Sequence, residues 1–155
     1  MYTREKVLKY TEMKIEIFDS LGAREQGSIL GCAAEPYTTE RLGAILTDKP
    51  GSDMFHNNKD KEIKSCWKYN CGIVRWCNMN VKFGLCDGFY LIDGVKNRVF
   101  QPDHDTVFYK CKLSQSGQNG RGELRGTKAN MEILEQFETF VHLEEDDYDW
   151  RKDNE

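Results

Sequence analysis

Two residues of the chain have the types that nucleophilic catalysis requires, a cysteine and a histidine flanked by carboxylates. Cys32 lies in the segment GSILGCAAEP, just before a stretch that we predict to be helical. A helix amino terminus lowers the pKa of a thiol and so favours the reactive thiolate. His104 lies between Asp103 and Asp105, either of which could orient its imidazole ring. One hypothesis is therefore a cysteine-dependent hydrolase or transferase that uses Cys32, His104 and Asp105.

A group of cysteines suggests a second kind of chemistry, the binding of a structural zinc ion. Cys66 and Cys71 have four residues between them, which is within the usual spacing for two thiolates that share a zinc ion. The intervals to the following cysteines, Cys77 and Cys86, are longer, and no second close pair answers the first. A zinc-stabilised binding module is therefore an alternative, with Cys66 and Cys71 as ligands, and no other cofactor is expected.

The glycine-rich segment 114–126 indicates a possible anion site. It carries Arg121 and Arg125, and Lys128 follows close to a predicted helix start. Glycine backbones and a helix amino terminus can hold a phosphate or another anion. The glycine spacing matches neither the phosphate-loop pattern nor the dinucleotide fingerprint, so the segment does not indicate a nucleotide.

The clearest functional signal is the uneven distribution of charge. The net charge is −4, yet residues 144–155 alone contain seven acidic and two basic side chains, which leaves 20 basic and 19 acidic side chains in residues 1–143. Because residues 1–143 have no marked excess of basic side chains, the sequence argues against nucleic-acid binding. Acidic stretches with interleaved aromatic residues can dock onto basic surfaces. The predicted binding residues are Asp146, Asp147, Tyr148, Asp149 and Trp150, together with the aromatic residues Trp67, Tyr69 and Trp76.

These charges lead to the main functional hypothesis, a non-catalytic binding protein. It would be a small inhibitor or accessory factor, of the kind that viruses and phages make, and it would engage a basic protein partner through its acidic carboxyl-terminal segment. No small-molecule ligand is indicated.

The six cysteines are interpreted as free, reduced thiols in a cytoplasmic protein. No run approaches the roughly 20 apolar residues that span a bilayer, so no membrane segment is expected. The first residues lack the continuous apolar region of a secretory signal. If the protein were secreted, the same cysteines would instead form a disulfide framework.

The amino-terminal third is predicted to contain one helix followed by irregular chain. Apolar residues at spacings of seven, three and three indicate a helix that Thr3 caps and Gly22 ends. Residues 22–37 contain several glycines and are predicted to be irregular. Thr38 or Thr39 would then cap a second helix that ends at residue 46, and the polar residues 47–65 predict a long exposed loop.

Residues 66–113 are predicted to form an antiparallel meander. Apolar and polar residues alternate over 79–85 and again over 107–113, which is the period of a half-buried strand. Asp87-Gly88 and Asp93-Gly94 have the composition of hairpin turns.

The carboxyl-terminal part is predicted to end in a helix and a tail. Residues 114–126 are interpreted as a flexible connector, and Thr127 as the cap of a final helix. We therefore predict a single α+β domain over residues 1–143, with the meander covered on one face by the N-terminal and C-terminal helices, and a mobile acidic tail over 144–155.

Overall fold

The computed structural model describes residues 2–47, 49–79, 86–114 and 122–139, and the predicted α+β class is confirmed. The helices are α1 (Arg4–Leu8), α2 (Ile15–Asp19), α3 (Ala23–Leu42) and α4 (Lys128–Leu134). The strands are β1 (Ile45–Leu46), β2 (Met54–His56), β3 (Lys59–Cys66), β4 (Arg75–Met79), β5 (Gly88–Asp93), β6 (Arg98–Phe100), β7 (Leu113–Ser114) and β8 (Gly122–Arg125). A π-helical turn (Thr106–Lys110) and a 3-10 turn (Glu135–Phe137) are also present. Each helix of the described segments is too short or too polar to cross a membrane.

The strands form two sheets instead of the single meander predicted for residues 66–113. The larger sheet has the order β1-β2-β3-β5-β6, and the smaller has the order β4-β8-β7. β3 and β5 are parallel, whereas the other neighbouring strands are antiparallel. Because two parallel strands need a crossover connection, the chain leaves the larger sheet after β3, forms β4 in the smaller one, and returns as β5.

The larger sheet is the middle layer of the molecule and has a hydrophobic core on each face. Every residue of β5 is buried, with Tyr90 and Ile92 in one core and Phe89 and Leu91 in the other. The first core is completed by side chains of α1, α2 and α3, and the second by side chains of the smaller sheet and α4. The N-terminal and C-terminal helices therefore cover opposite faces of the sheet, not the same face.

The prediction of irregular chain over residues 22–37 is wrong, because α3 occupies them. Thr3 caps α1 as predicted, with its hydroxyl accepting a hydrogen bond from the amide of Lys6 at 3.2 Å, but this helix ends at Leu8. Gly22, predicted to end the first helix, instead precedes the first residue of α3. Thr38 and Thr39, predicted to start a second helix, are buried within α3.

The helix α3 is stabilised by its buried face in spite of the proline within it. Five of its six buried residues recur at the spacings of one helix face: Leu30, Ala33, Ala34, Tyr37 and Thr38. Pro36 has no amide proton and removes one helical hydrogen bond. The hydroxyl of Thr39 donates to the carbonyls of Glu35 and Pro36, at 3.0 Å each, and so joins the turn around the proline. The helix ends at Gly43, whose φ of 63° is left-handed.

The predicted exposed loop over residues 47–65 is also wrong, because it contains the β2–β3 hairpin. Asn57 and Asn58 form its turn with φ values of 53° and 60°. Two consecutive positive φ values are typical of the tight turns that match the twist of a hairpin, and asparagine tolerates this conformation.

Of the turns predicted between residues 79 and 113, one is confirmed and one is wrong. Asp93-Gly94 begins the turn that joins β5 to β6. Gly88 is instead the first residue of β5, where a Cβ atom would lie 3.1 Å from the carbonyl oxygen of Pro102. Such a contact would be tight, so a glycine at this position favours the close approach of the two backbone segments. Within the predicted strand 79–85, only Met79 is described, as the last residue of β4.

The predicted strand over residues 107–113 is wrong for most of its length. Residues 106–110 form the π-helical turn, and its start is fixed by Asp103, whose carboxylate accepts a hydrogen bond from the amide of Thr106 at 2.7 Å. An aspartate that caps the third residue after it favours a helical turn over an extended strand.

The start of the last helix is confirmed, and the connector before it is partly a strand. The hydroxyl of Thr127 accepts a hydrogen bond from the amide of Asn130 at 3.3 Å. Within the predicted connector 114–126, residues 122–125 form β8 and residues 115–121 lie outside the described part of the chain. The predicted tail over 144–155 and the domain boundary at residue 143 also lie outside it.

Candidate functional site

A groove of about 840 Å³ opens where the middle layer lacks a strand. β2 pairs with β3 only as far as Lys61, so the second half of β3 has no neighbouring strand on that side. The groove is bounded there by β3 from Ile63 onwards, by the first part of α3 and by β4. Its volume is within the range of known ligand sites.

Most of the charged side chains that line the groove are basic. They come from α1, α3, β3, the segment after β3, and β4: Arg4, Arg24, Lys64, Lys68 and Arg75. Within the part of the chain that the structure describes, Glu35 is the one acidic residue in this lining. Among the described residues, neither Arg24 nor Lys68 has an ion-pair partner, so both charges are available to a ligand.

The other three cations are held by acidic neighbours. A nitrogen of Arg4 lies 2.9 Å from a carboxylate oxygen of Asp19, and the amine of Lys64 lies 3.4 Å from Glu62. Arg75 shares the carboxylate of Glu123 with Arg125, at 3.4 and 3.0 Å.

The carboxyl group of Glu35 holds its proton to a higher pH than an ordinary glutamate does. Burial, with a further contribution from the nearby carboxylate of Asp53, raises the pKa of Glu35 from 4.5 to about 7, although the amine of Lys64 opposes the shift. Burial also raises the pKa of Asp53, whose carboxylate accepts a hydrogen bond from the amide of Ile63 at 2.7 Å. Near pH 7 the carboxyl of Glu35 is therefore partly neutral and offsets little of the positive charge of the groove.

Of the aromatic residues predicted to bind a partner, Trp67 lines the groove and Trp76 does not. Trp67 is partly buried, and its indole nitrogen donates to the hydroxyl of Ser65 at 2.9 Å. Trp76 is fully buried and donates to the carbonyl of Ile92 at 2.9 Å, so its predicted role in binding is wrong. The hydroxyl of Tyr69, which is partly buried, donates to the carboxylate of Asp93.

The structure does not bring Cys32 and His104 together. Cys32 is exposed in the middle of α3, nine residues after the helix begins, so it does not lie at a helix amino terminus as predicted. The ring of His104 lies 4.6 Å from that of Phe108, which packs against the core on the opposite face of the larger sheet. Asp105 does approach His104, with 3.1 Å between its carboxylate oxygen and Nδ1.

The six cysteines all lie in described segments, and each is a free thiol. Burial raises the pKa of the thiols of Cys66, Cys77 and Cys111, and it raises that of Cys86 to about 12. Thiolate chemistry is therefore disfavoured at these four positions.

The two predicted zinc ligands have different surroundings. Cys66 is buried and its thiol donates to the carbonyl of Lys68 at 3.4 Å, whereas Cys71 is exposed beside the side chain of Asn70. Within the described ranges, no three or more histidine, cysteine, aspartate or glutamate side chains are grouped so that they could hold a metal ion.

Of the residues of the predicted anion site, the two that the structure describes, Arg125 and Lys128, do not line the groove. Arg125 is on β8, paired with Glu123, and Lys128 is exposed in the first turn of α4. Arg121 lies outside the described residues, as do the predicted binding residues Asp146, Asp147, Tyr148, Asp149 and Trp150.

The sequence analysis missed the groove cations because no local pattern joins them. They are separated by up to 71 positions, from Arg4 to Arg75, and only the packing of α1 and α3 against β3 assembles them.

No protein-family model matches the chain, and no curated protein or solved structure is significantly similar to it.

Proposed function

We propose that the protein acts by binding and not by catalysis, and that its groove holds an acidic segment of a partner protein. The observation that supports this is the excess of basic side chains at the groove, where Arg24 and Lys68 have no ion-pair partner among the described residues. Complementary charge steers a partner to such a surface and selects against basic competitors.

Two observations favour a protein partner over a nucleic acid: the arrangement of the basic side chains in the groove and the charge balance of the rest of the chain. The basic side chains are gathered between two walls, α3 and β4, instead of spreading along an exposed face. The rest of the chain does not extend this footprint, since residues 1–143 carry nearly equal numbers of acidic and basic side chains. Nucleic-acid binding generally depends on many phosphate contacts along a basic surface.

The proposal is tested by measuring the affinity of the full chain for a fluorescein-labelled octapeptide that alternates glutamate and threonine. Arg24→Gln and Lys68→Gln should each weaken binding by about two- to fivefold, the range of exposed ion pairs, and more at low salt than at high salt. Lys110→Gln is the matched control, because Lys110 is exposed on the π-helical turn and does not line the groove. Equal affinities for all variants, or tighter binding of a thymidine octanucleotide, would show the proposal to be wrong.

A second binding role is proposed for residues 144–155 because of their negative charge. As the sequence predicts, this acidic segment would engage a basic protein partner, with Tyr148 and Trp150 as anchors. A protein with two oppositely charged binding surfaces would suit an inhibitor or accessory factor, including one made by a virus or a phage. Free thiols fit a reducing compartment such as the cytoplasm.

The role of the acidic segment is tested by replacing its seven carboxylates with amides in the full chain. Binding of a labelled lysine-rich peptide should weaken and should lose most of its dependence on salt. If the substituted chain binds this peptide as the natural chain does, the segment has no such role.

A further inference from the structure

The second half of β3 presents an open strand edge to the groove. Alternate residues of β3 direct their backbone groups toward β5, as the hydrogen bond from Gly94 to the carbonyl of Cys66 at 2.8 Å indicates. The residues between them direct their backbone groups to the opposite edge of β3. At this edge the carbonyl of Lys61 accepts a hydrogen bond from the amide of Asp53 at 2.9 Å. Ile63 and Ser65 belong to this second set.

Along this edge, the last backbone group with a hydrogen-bond partner is the amide of Ile63. It donates to the side-chain carboxylate of Asp53, which stands in for a backbone carbonyl of a neighbouring strand. Beyond it, the carbonyl of Ile63 and both backbone groups of Ser65 have no hydrogen bond to another described residue. Unpaired backbone groups at a sheet edge are a template for an added strand.

The groove has the position and the walls that an added strand requires. A strand beside β3 would lie in the middle layer, about 4.8 Å from β3, between α3 and β4. On the α3 side, Gly31 faces Ser65, since a Cβ atom built on Gly31 would lie 3.9 Å from the hydroxyl of Ser65, an ordinary contact distance. Side chains of a strand alternate between its two faces, so a strand whose acidic residues occupy every second position would direct all its carboxylates to one wall, either toward Arg24 or toward Arg75.

We propose that the acidic segment of the partner binds in extended conformation as an additional strand on the open edge of β3. This inference rests on the proposed function of the groove and adds the mode of recognition. Main-chain hydrogen bonds to Ile63 and Ser65 contribute to the affinity, and the basic side chains of the walls select an acidic sequence.

The test compares peptides of identical charge that differ in their backbone hydrogen bonds. The glutamate–threonine octapeptide is compared with two isomers, one N-methylated at its glutamates and one at its threonines. Because each isomer loses the donors of one strand edge, at least one of them should bind tenfold or more weakly to the full chain. In parallel, the amide of Ser65 should exchange its hydrogen at least tenfold more slowly when the parent peptide is bound.

The outcomes separate this inference from the proposed function. If both isomers bind within twofold of the parent peptide and the exchange of Ser65 is unchanged, the groove binds acidic segments without strand pairing, and this inference is wrong. If the parent peptide does not bind, or binds both the Arg24→Gln and the Lys68→Gln variants as tightly as it binds the natural chain, the proposed function is wrong as well. If replacing the carboxylates of residues 144–155 tightens parent-peptide binding tenfold or more, the occupant is this chain's own segment and the partner assignment is wrong.

A substitution in the chain gives independent evidence. Ser65→Pro removes the amide donor from the open edge, and proline is tolerated in strands where the amide faces away from the sheet. Ser65→Ala is the matched control, because it removes the same hydroxyl and the same bond to Trp67 but keeps the amide. The proline variant should bind the parent peptide at least fivefold more weakly than the alanine variant, and equal binding by two folded variants would contradict the proposed pairing.

Discussion

Replacing Glu35 by glutamine should make the protein more stable, and the gain should grow with pH. The raised pKa of Glu35, about 7 against 4.5, means that the native state holds this proton more tightly than the unfolded state. The resulting stabilisation is present in full below pH 4.5 and is lost as the pH rises toward 7 and above. A shift of this size corresponds to about 3 kcal/mol at 1.36 kcal/mol per pH unit, and partial exposure to water reduces it to about 1–3 kcal/mol.

The assay is urea unfolding of the natural chain and of Glu35→Gln at pH 4.5 and pH 8. Glutamine resembles the protonated carboxyl group, so the two proteins should differ by less than about 0.5 kcal/mol at pH 4.5. At pH 8 the variant should be more stable by about 1–3 kcal/mol. Glu132→Gln, an exposed position on α4, controls for the loss of one carboxylate. A difference between Glu35→Gln and the natural chain that is the same at both pH values would refute this reasoning.

The same ionisation should affect binding at the groove. Glu35 is surrounded by the carboxylates of Asp53 and Glu62 and by the amine of Lys64, and it is in the groove lining itself. As its carboxyl ionises, an acidic ligand is repelled more strongly, so the affinity for the glutamate–threonine peptide should fall between pH 6 and pH 8. In Glu35→Gln this fall should be reduced, and an unchanged fall would show that other groups cause it.

Two substitutions away from the charges test the packing. Gly94→Ala would place a Cβ atom 2.4 Å from a ring carbon of Trp67, and the clash should cost about 1–3 kcal/mol of unfolding free energy and change the Trp67 fluorescence; an unchanged urea midpoint would contradict the close contact. Asn130 is buried and bonds the amide and carbonyl of Lys112 and the carbonyl of Arg125, at 2.9, 3.0 and 2.9 Å. Asn130→Ala would leave these groups without partners and should cost about 2–4 kcal/mol by the same assay, whereas a loss below 1 kcal/mol would mean that water replaces the amide.

Features of the fold that depend on neighbouring residues could be predicted from the sequence. Thr3 and Thr127 both cap helices, because a threonine hydroxyl can reach the amide three residues later whatever the rest of the chain does. The turn at Asp93-Gly94 was predictable for the same reason. Such signals locate the start of an element and carry little information about its length.

The helix α3 was missed because four of its six buried residues are alanine or threonine, which do not stand out as core residues in a sequence. Its glycines and Pro36 indicate a break in a helix, and the spacing of Leu30, Ala33, Ala34 and Tyr37 becomes evident only when alanine is counted as a core residue. For the π-helical turn, the alternation of apolar residues from Val107 indicated a strand, but the cap supplied by Asp103 determined the local structure.

Long-range features could not be predicted at all. The parallel pairing of β3 with β5 joins residues that are 27 positions apart, such as Lys61 and Gly88, and no turn signal specifies it. The groove depends on this pairing and on where β2 stops. Tertiary packing therefore decides which charged residues face one another. Tertiary packing also buries Trp76 in the core.

The central position of β5 has a consequence for how the molecule opens. All six of its residues are buried, and four of them are divided equally between the two cores, so neither layer can separate from the middle sheet without exposing this strand. A motion that loosens α1 and α2 leaves the contacts on the other face in place. The amides of β5 are therefore expected to be among the last to exchange with heavy water, and the edge strand β1 among the first.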